Sequence, residues 1–329
     1  MNWRPGASVE TLRRRAALLA ETRGFFGARG LLEVETPALV RHPVTDPHLE
    51  NIRVQLGATP RFLHTSPEFH MKRLLAAGAP DIWQLCKVFR HGESGRRHQP
   101  EFTMVEWYRR GFTLGDMARE TCDLVTALAR RAAADGAPGL AGAAPVTHTY
   151  AGLFGRALGL DPLTAAHADL VACAGRLLGP ALTPGLAAAL GGERTLWLDL
   201  LMSHAIADHL AAEPLAVVTG YPAGQAALAR LDPANPQVAE RFEVFCHGVE
   251  IANGYRELTD PEEQARRFTE DGQFRQRLGR PAVVPDQDLL DALRHGLPDC
   301  AGVAVGFDRV VMILLGLDAV QEAVSFRVP

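Results

Sequence analysis

A chain of 329 residues, 47% of them hydrophobic, has enough apolar surface to bury a substantial core, which excludes a disordered protein. Its 34 Lys and Arg against 38 Asp and Glu give a net charge of -4, which excludes a global basic field for gathering a polyanion and leaves room only for a local basic site. Cys86, Cys122, Cys173, Cys246 and Cys300 stand far apart without a CxxC pair, the pattern of buried free thiols, and no apolar run reaches the roughly 20 residues of a membrane span. A soluble, cytoplasmic protein is expected.

In chain order, Ser8 is placed to cap a helix running to about Arg29, with Leu12, Leu19, Phe25 and Phe26 near helical spacing and Gly30 as its stop. A strand is expected at Leu31 to Glu35. Further strand-like runs at Ile52 to Leu56, Arg61 to Thr65, Ile82 to Arg90 and Phe102 to Tyr108 point to an antiparallel sheet. The pattern turns helical from Leu114 to about Ala134, then gives way to ADGAPGLAGAAPV at 134–146, a small-residue segment that reads as a flexible connection and an internal boundary. The Ala- and Leu-rich stretch that follows, to about Leu210, is mostly helical and reads as an insertion at about 135–212 inside a larger fold. Strands return at Leu215 to Thr219, Phe242 to Glu250 and Val303 to Gly306, around a polar helix near Pro261 to Leu278. Strands at both ends with helices between predict an α+β fold, a central antiparallel sheet flanked by helices.

Three strings carry chemistry. FRHGESGRRHQPEFTMVEWY at 89–108 reads as two strands joined by a polar turn with Arg96, Arg97 and His98. Such a hairpin points guanidinium groups and an aromatic ring into one pocket, where an Arg fork fits phosphate and a Phe face stacks on a nucleobase. HTSPEFHMKRLL at 64–75 offers Glu68, a carboxylate able to pair with an amino group or, taken alone, an ordinary acid at a helix N-terminus. In RFEVFCHGVEIANGYRELTD at 241–260, Glu250, Asn253 and Glu257 stand in the apolar company of Val249, Ile251 and Tyr255, as on the wall of a cleft. Carboxylates there suit Mg²⁺ shared with phosphates and water, or a cationic amine. His42, His48, His64 and His70 show no metal-ligand spacing and read as loop or core residues.

These strings resemble the signatures of class II aminoacyl-tRNA synthetases and, within them, the lysyl branch. The 89–108 string is similar to the second signature motif, GVAVGFDRVVMILLG at 302–316 to the third, and FFGARGLLEVETP at 25–37 to the first, which in that class builds the dimer interface. The resemblance implies a class II catalytic fold, a homodimer through 25–37, and activation of an amino-acid carboxylate by ATP with Mg²⁺. By the same resemblance Arg90 holds the α-phosphate, Phe102 and Arg309 sandwich the adenine, and Gly306 lets ATP approach the backbone. Glu250 holds metal and ATP beside Ile251, and Glu257 faces the distal amine and reaches the metal. Ser66, Pro67, Glu68, Tyr108, Asn253 and Ala304 line the amino-acid site. The family has Asn-Glu after the motif 2 Arg and Asn before PEFT, whereas this chain has His91, Gly92 and then Glu93, and Gln99. The nucleotide contacts of those four positions are the ones the departure touches.

Two features direct the expectation further. The core helix begins near Ser8, so a single catalytic domain over 1–329 is expected, with no anticodon-binding domain and no tRNA as partner. Lysyl synthetases have glycine where this chain has Ala304, and a methyl there reshapes the pocket floor; at a buried small position it is also compatible with neutral drift. From about residue 8 to 326 the chain resembles the elongation factor P lysyltransferases, which activate (R)-β-lysine and pass it to a lysine side chain of that factor. Two other expectations stay open: lysine-type adenylation serving tRNA or a small molecule, and a catalytically silent, amino-acid-sensing paralogue.

Overall fold

A computed structural model describes residues 3–57, 59–138, 140 and 144–328. The chain forms two compact units, Met1–Gly142 with Arg256–Pro329, and Ala143–Tyr255. Each combines a sheet with helices, an α+β architecture.

The first unit opens with α1 (Val9–Gly27), whose Ser8 hydroxyl accepts the Thr11 N–H at 3.0 Å and so satisfies one of the free donors of the first turn. Phe26 near its end stacks on Trp83 with centroids 4.6 Å apart, which fixes the helix to the sheet. After β1 (Leu32–Glu33) a separate three-stranded sheet is built from β2 (Leu39–Val40), β3 (Arg53–Leu56) and β4 (Thr59–Leu63), in the order β2-β4-β3. Then come α2 (Glu68–Ala76), the long hairpin β5 (Ile82–Phe89) and β6 (Glu101–Arg110), and α3 (Leu114–Ala134), which starts at a Thr113/Asp116 capping box. Of the predicted flexible connection, residues 139 and 141–143 lie outside the described residues.

The second unit holds β7 (Val146–Thr149), the helices α4 (Tyr150–Leu158), α5 (His167–Leu178), α6 (Pro184–Leu190), α7 (Arg194–Leu201) and short α8 (Ala207–His209), then β8 (Ala216–Pro222), β9 (Leu231–Asp232), β10 (Asn235–Cys246) and β11 (Val249–Arg256). Its strands run in the order β11-β10-β8-β7, with β9 on β10. Tyr150, Phe154, Trp197, Leu201, Val218 and Phe245 close its core. The strand expected from Phe242 to Glu250 is instead a hairpin: His247 at φ 48° and Gly248 at φ 72° reverse the chain. Glycine is required at 248, because a Cβ there would come within 2.3 Å of the Ala207 carbonyl oxygen.

The chain returns to the first unit with α9 (Pro261–Arg277), α10 (Gln287–Gly296), β12 (Cys300–Gly306) and α11 (Phe307–Leu314). In that unit the sheet order is β1-β5-β6-β12. The β5-β6 and β6-β12 pairs are antiparallel, as expected, but β1 runs parallel to β5, and in the second unit β7 runs parallel to β8. Alternation of apolar residues along a strand marks its buried face and not the direction of its neighbour, so the sequence reading missed the mixed pairing.

Candidate active site

The β6-β12 register sets Gly302 opposite Tyr108, Ala304 opposite Glu106 and Gly306 opposite Met104. Directly paired residues project to the same face, so glycine, alanine and glycine form a low floor beside Glu106 and Tyr108. The closeness is strict at Gly302, where an added Cβ would lie 2.3 Å from the Tyr108 ring and 2.5 Å from the Glu257 carboxylate.

Around this floor the first unit gathers a buried cluster. Tyr108 Oη donates to Glu106 Oε1 and Ser66 Oγ donates to Glu106 Oε2, each at 2.8 Å. Ser66 Oγ also accepts the N–H of Glu68, the first residue of α2, at 3.0 Å across the buried Pro67. Lys72, one helical turn after Glu68, sets its Nζ 2.6 Å from Glu68 Oε1 and 2.6 Å from Glu257 Oε2. Lys72, Glu106 and Glu257 are at most 2% exposed. Burial pushes Glu106 up to about 8, with the Glu68 charge adding to the rise, and burial pushes Glu257 up to about 7 against the pull of Lys72. Burial alone would depress Lys72, but the facing Glu257 and Glu68 carboxylates hold it above its ordinary value. Lys72 is thus shared by Glu68 and Glu257, while Glu106 is held by the hydroxyls of Ser66 and Tyr108.

The β5-β6 hairpin forms a second, more open group. Arg90 donates its N–H to the Pro100 carbonyl at 2.8 Å, approaches Glu93 at 3.4 Å, and carries its guanidinium 5.0 Å from the Phe102 ring centroid. His91 and Gly92 are exposed, and His91 meets Glu50 at 3.2 Å. Gln99 is buried, with its side-chain oxygen accepting the Val328 N–H at 3.2 Å. Arg309, in the first turn of α11, donates Nε–H to the Arg97 carbonyl at 3.1 Å and sits 2.7 Å from His98 Nε2. Motif 3 is thus laced to the motif 2 turn.

In the second unit, β11 carries Glu250, Ile251 and Asn253. Ile251 is buried, whereas Glu250 and Asn253 are partly exposed. Arg241 donates Nε–H to Asn253 Oδ1 at 3.2 Å, and Asn253 Nδ2 donates to Tyr255 Oη at 2.8 Å, which fixes the amide's orientation.

The model of the family described as tRNA synthetases class II (D, K and N) matches residues 1–328. The chain belongs to that class II tRNA synthetase family. Among relatives of this class II chain, a Haemophilus ducreyi protein named elongation factor P--(R)-beta-lysine ligase is 41% identical over 335 residues, spanning 100% of this chain and 97% of that protein. Proteins of the same name from Pasteurella multocida and Vibrio vulnificus are each 42% identical, spanning 99% and 100% of this chain and 98% of each relative.

In this class II synthetase no group of three His, Cys, Asp or Glu side chains able to hold a metal occurs among the described residues. Mg²⁺ shared with phosphates needs only one or two carboxylates plus water, so the donor chemistry of partly exposed Glu250 fits. Glu257 fits less well, because Lys72 and a hydrogen bond from the Gly302 backbone already engage its buried carboxylate. Lys72 and Glu106 were missed in the sequence reading. Both left a signal: Lys72 follows Glu68 at i+4, and Glu106 is a lone acid inside the apolar run TMVEWY.

Proposed function

We propose that this chain is an AMP-forming ligase that activates (R)-β-lysine with ATP and transfers it to a lysine side chain of elongation factor P. The observation that carries this reading is the buried cluster of Glu68, Glu106 and Glu257 with Tyr108, a site built for a substrate bearing more than one amino group. Support comes from near full-length similarity to proteins that bear that activity as their name.

The chemistry needs no general base, because the attacking carboxylate is already ionised. Its oxygen bonds to the α-phosphorus of ATP as the bond to the β-phosphate oxygen breaks, and pyrophosphate leaves with the electron pair. The amine of the acceptor lysine then attacks the acyl carbon, AMP departs, and the amine proton is lost to solvent. Rate comes from positioning and from charge stabilisation on the phosphoryl oxygens. Arg90 steadies the α-phosphate, Phe102 and Arg309 hold the adenine, and Gly306 admits the nucleotide to the backbone. His91, Gly92, Glu93 and Gln99 belong to the turn that borders it. The amines are read by Glu68, Glu106, Tyr108 and Glu257, with Ser66 and Pro67 shaping the rim and Ala304 the floor. Glu250, Ile251 and Asn253 take their roles from the resemblance of their segment, Glu250 as the first holder of Mg²⁺ and Glu257 as a lesser one. When bound, that ion neutralises phosphate charge.

The same reading makes the helical stretch at about 135–212 an insertion in one catalytic domain, pairs two copies through residues 25–37, and assigns the work to the cytoplasm, where the acceptor factor acts. tRNA is not a substrate in it. Pyrophosphate exchange with purified protein tests the first half-reaction: exchange should be strong with (R)-β-lysine and much weaker with α-lysine. No exchange with any amino acid would overturn the proposal.

A further inference from the structure

Within the first unit one buried guanidinium touches the flanks of two residues that the proposed nucleotide site depends on. Arg15 extends inward from α1 with its side chain 12% exposed, and its Nη2 lies 2.6 Å from Asp308 Oδ1. The same Nη2 donates to Thr103 Oγ1 at 2.9 Å, and Nη1 donates to the Ala323 carbonyl at 3.2 Å. The guanidinium carbon also stands 5.1 Å from the centroid of the Phe307 ring. Asp308 completes the circuit, its Oδ2 accepting the backbone N–H of Thr103 at 3.0 Å.

Thr103 follows Phe102 on β6, and Asp308 precedes Arg309 on α11. An acid in the first turn of a helix ordinarily serves that helix's own free N–H groups. The N-terminus of α11 has no side-chain cap, and Asp308 binds the neighbouring strand and Arg15 instead. A planar cation with several donors can hold a carboxylate, a hydroxyl and a carbonyl at once, which an ammonium on a flexible stem cannot do with equal geometry. Asp308 and Thr103 are 4% and 3% exposed, so this circuit is shielded from solvent and screened little by salt. Its members sit next to the adenine-holding side chains and touch none of the amine-reading cluster.

We propose that Arg15 is a positioning residue for the nucleotide, setting the spacing of Phe102 and Arg309 through Thr103 and Asp308. The inference rests on the reading of Phe102 and Arg309 as the adenine clamp, and the controls below separate the two.

Pyrophosphate exchange on the full chain, with ATP and (R)-β-lysine varied in turn, reads the effect. Arg15→Met and Asp308→Asn should each raise the KM for ATP about 10-fold while the KM for (R)-β-lysine changes less than about twofold. Arg15→Lys should recover part of the loss, because it restores the charge without the fork. Thr103→Val removes only the hydroxyl contact and should raise the ATP KM about threefold, which keeps the test open if the buried-charge variants fold poorly. Phe102→Ala and Arg309→Ala serve as controls. If they raise the ATP KM and the Arg15, Asp308 and Thr103 variants lower only the melting temperature or kcat, the positioning role is wrong and the clamp stands. If neither control moves the ATP KM, the clamp itself is wrong.

Discussion

The amine cluster and the turn joining β5 to β6 lie in the same unit but are built on opposite plans. The cluster is dense and dry, with Lys72, Glu106 and Glu257 nearly sealed from water, Lys72 set 2.6 Å from both Glu68 and Glu257, and Glu106 held by two hydroxyls at 2.8 Å. Ionisable groups there shift far from their ordinary values because burial penalises charge. The turn is open, its His91 and Gly92 exposed, with Arg90 3.4 Å from the Glu93 carboxylate and Arg96 donating to the Asp318 carbonyl at 3.2 Å. A buried arrangement of charges is costly to rebuild and so discriminates among substrates. An open one can close around a polyanion that brings most of the binding energy itself. In the proposed function, selectivity falls to the cluster and phosphate handling to the turn.

Removing the internal ammonium is the most severe way to break that division. Lys72→Met leaves Glu68 and Glu257 without their shared cation and should lower unfolding free energy by about 3 kcal/mol, read from the urea midpoint. Unchanged stability would mean the cluster is not an energetic unit. On the hairpin side, Arg90→Ala should cut pyrophosphate exchange about 100-fold with little change in melting temperature. Near-normal exchange would take phosphate handling away from this turn.

A pH series sharpens the contrast further. Burial and the Glu68 charge hold Glu106 near 8, above its ordinary 4.5, so it is mostly protonated at neutral pH and gains charge as pH rises. A substrate ammonium favours the ionised form, so the KM for (R)-β-lysine should fall about 10-fold from pH 6.5 to 8.5. Glu106→Gln should flatten that dependence, and the same slope in the variant would remove Glu106 from the reading. The linkage to folding has the opposite sense. Because the folded-state value lies above the unfolded one, the stability this group contributes is complete below about 4.5 and is lost as pH climbs toward 8. The smallest effect is expected at the floor: Ala304→Gly should relax the preference for (R)-β-lysine over α-lysine about fivefold in kcat/KM. Unchanged selectivity would leave the methyl without a role.

Sequence carried the elements that stand on local signals. The Ser8 cap, the α3 span from Leu114 to Ala134 and the Pro261 start of α9 follow from capping and periodicity alone. It failed where pairing decides. CHGV at 246–249 reads as a continuous strand because its neighbours are apolar, yet His247 and Gly248 turn it. The parallel partnership of β1 with β5 leaves no mark on either strand. In the site, Arg90, Glu68, Tyr108 and Arg309 were legible because motif strings mark them. Glu106 looked like one more strand residue until Ser66 and Tyr108 converged on its two oxygens. Arg15 was hidden for the same reason: its partners Thr103 and Asp308 are distant in the chain and adjacent only in the fold.

The most direct test is the intact mass of elongation factor P after incubation with this protein and ATP, with (R)-β-lysine in one reaction and α-lysine in another. One added β-lysyl group, mapped to a lysine side chain, is predicted in the first reaction and little or none in the second. An unmodified factor in the presence of vigorous pyrophosphate exchange would contradict the account and send the activated amino acid elsewhere.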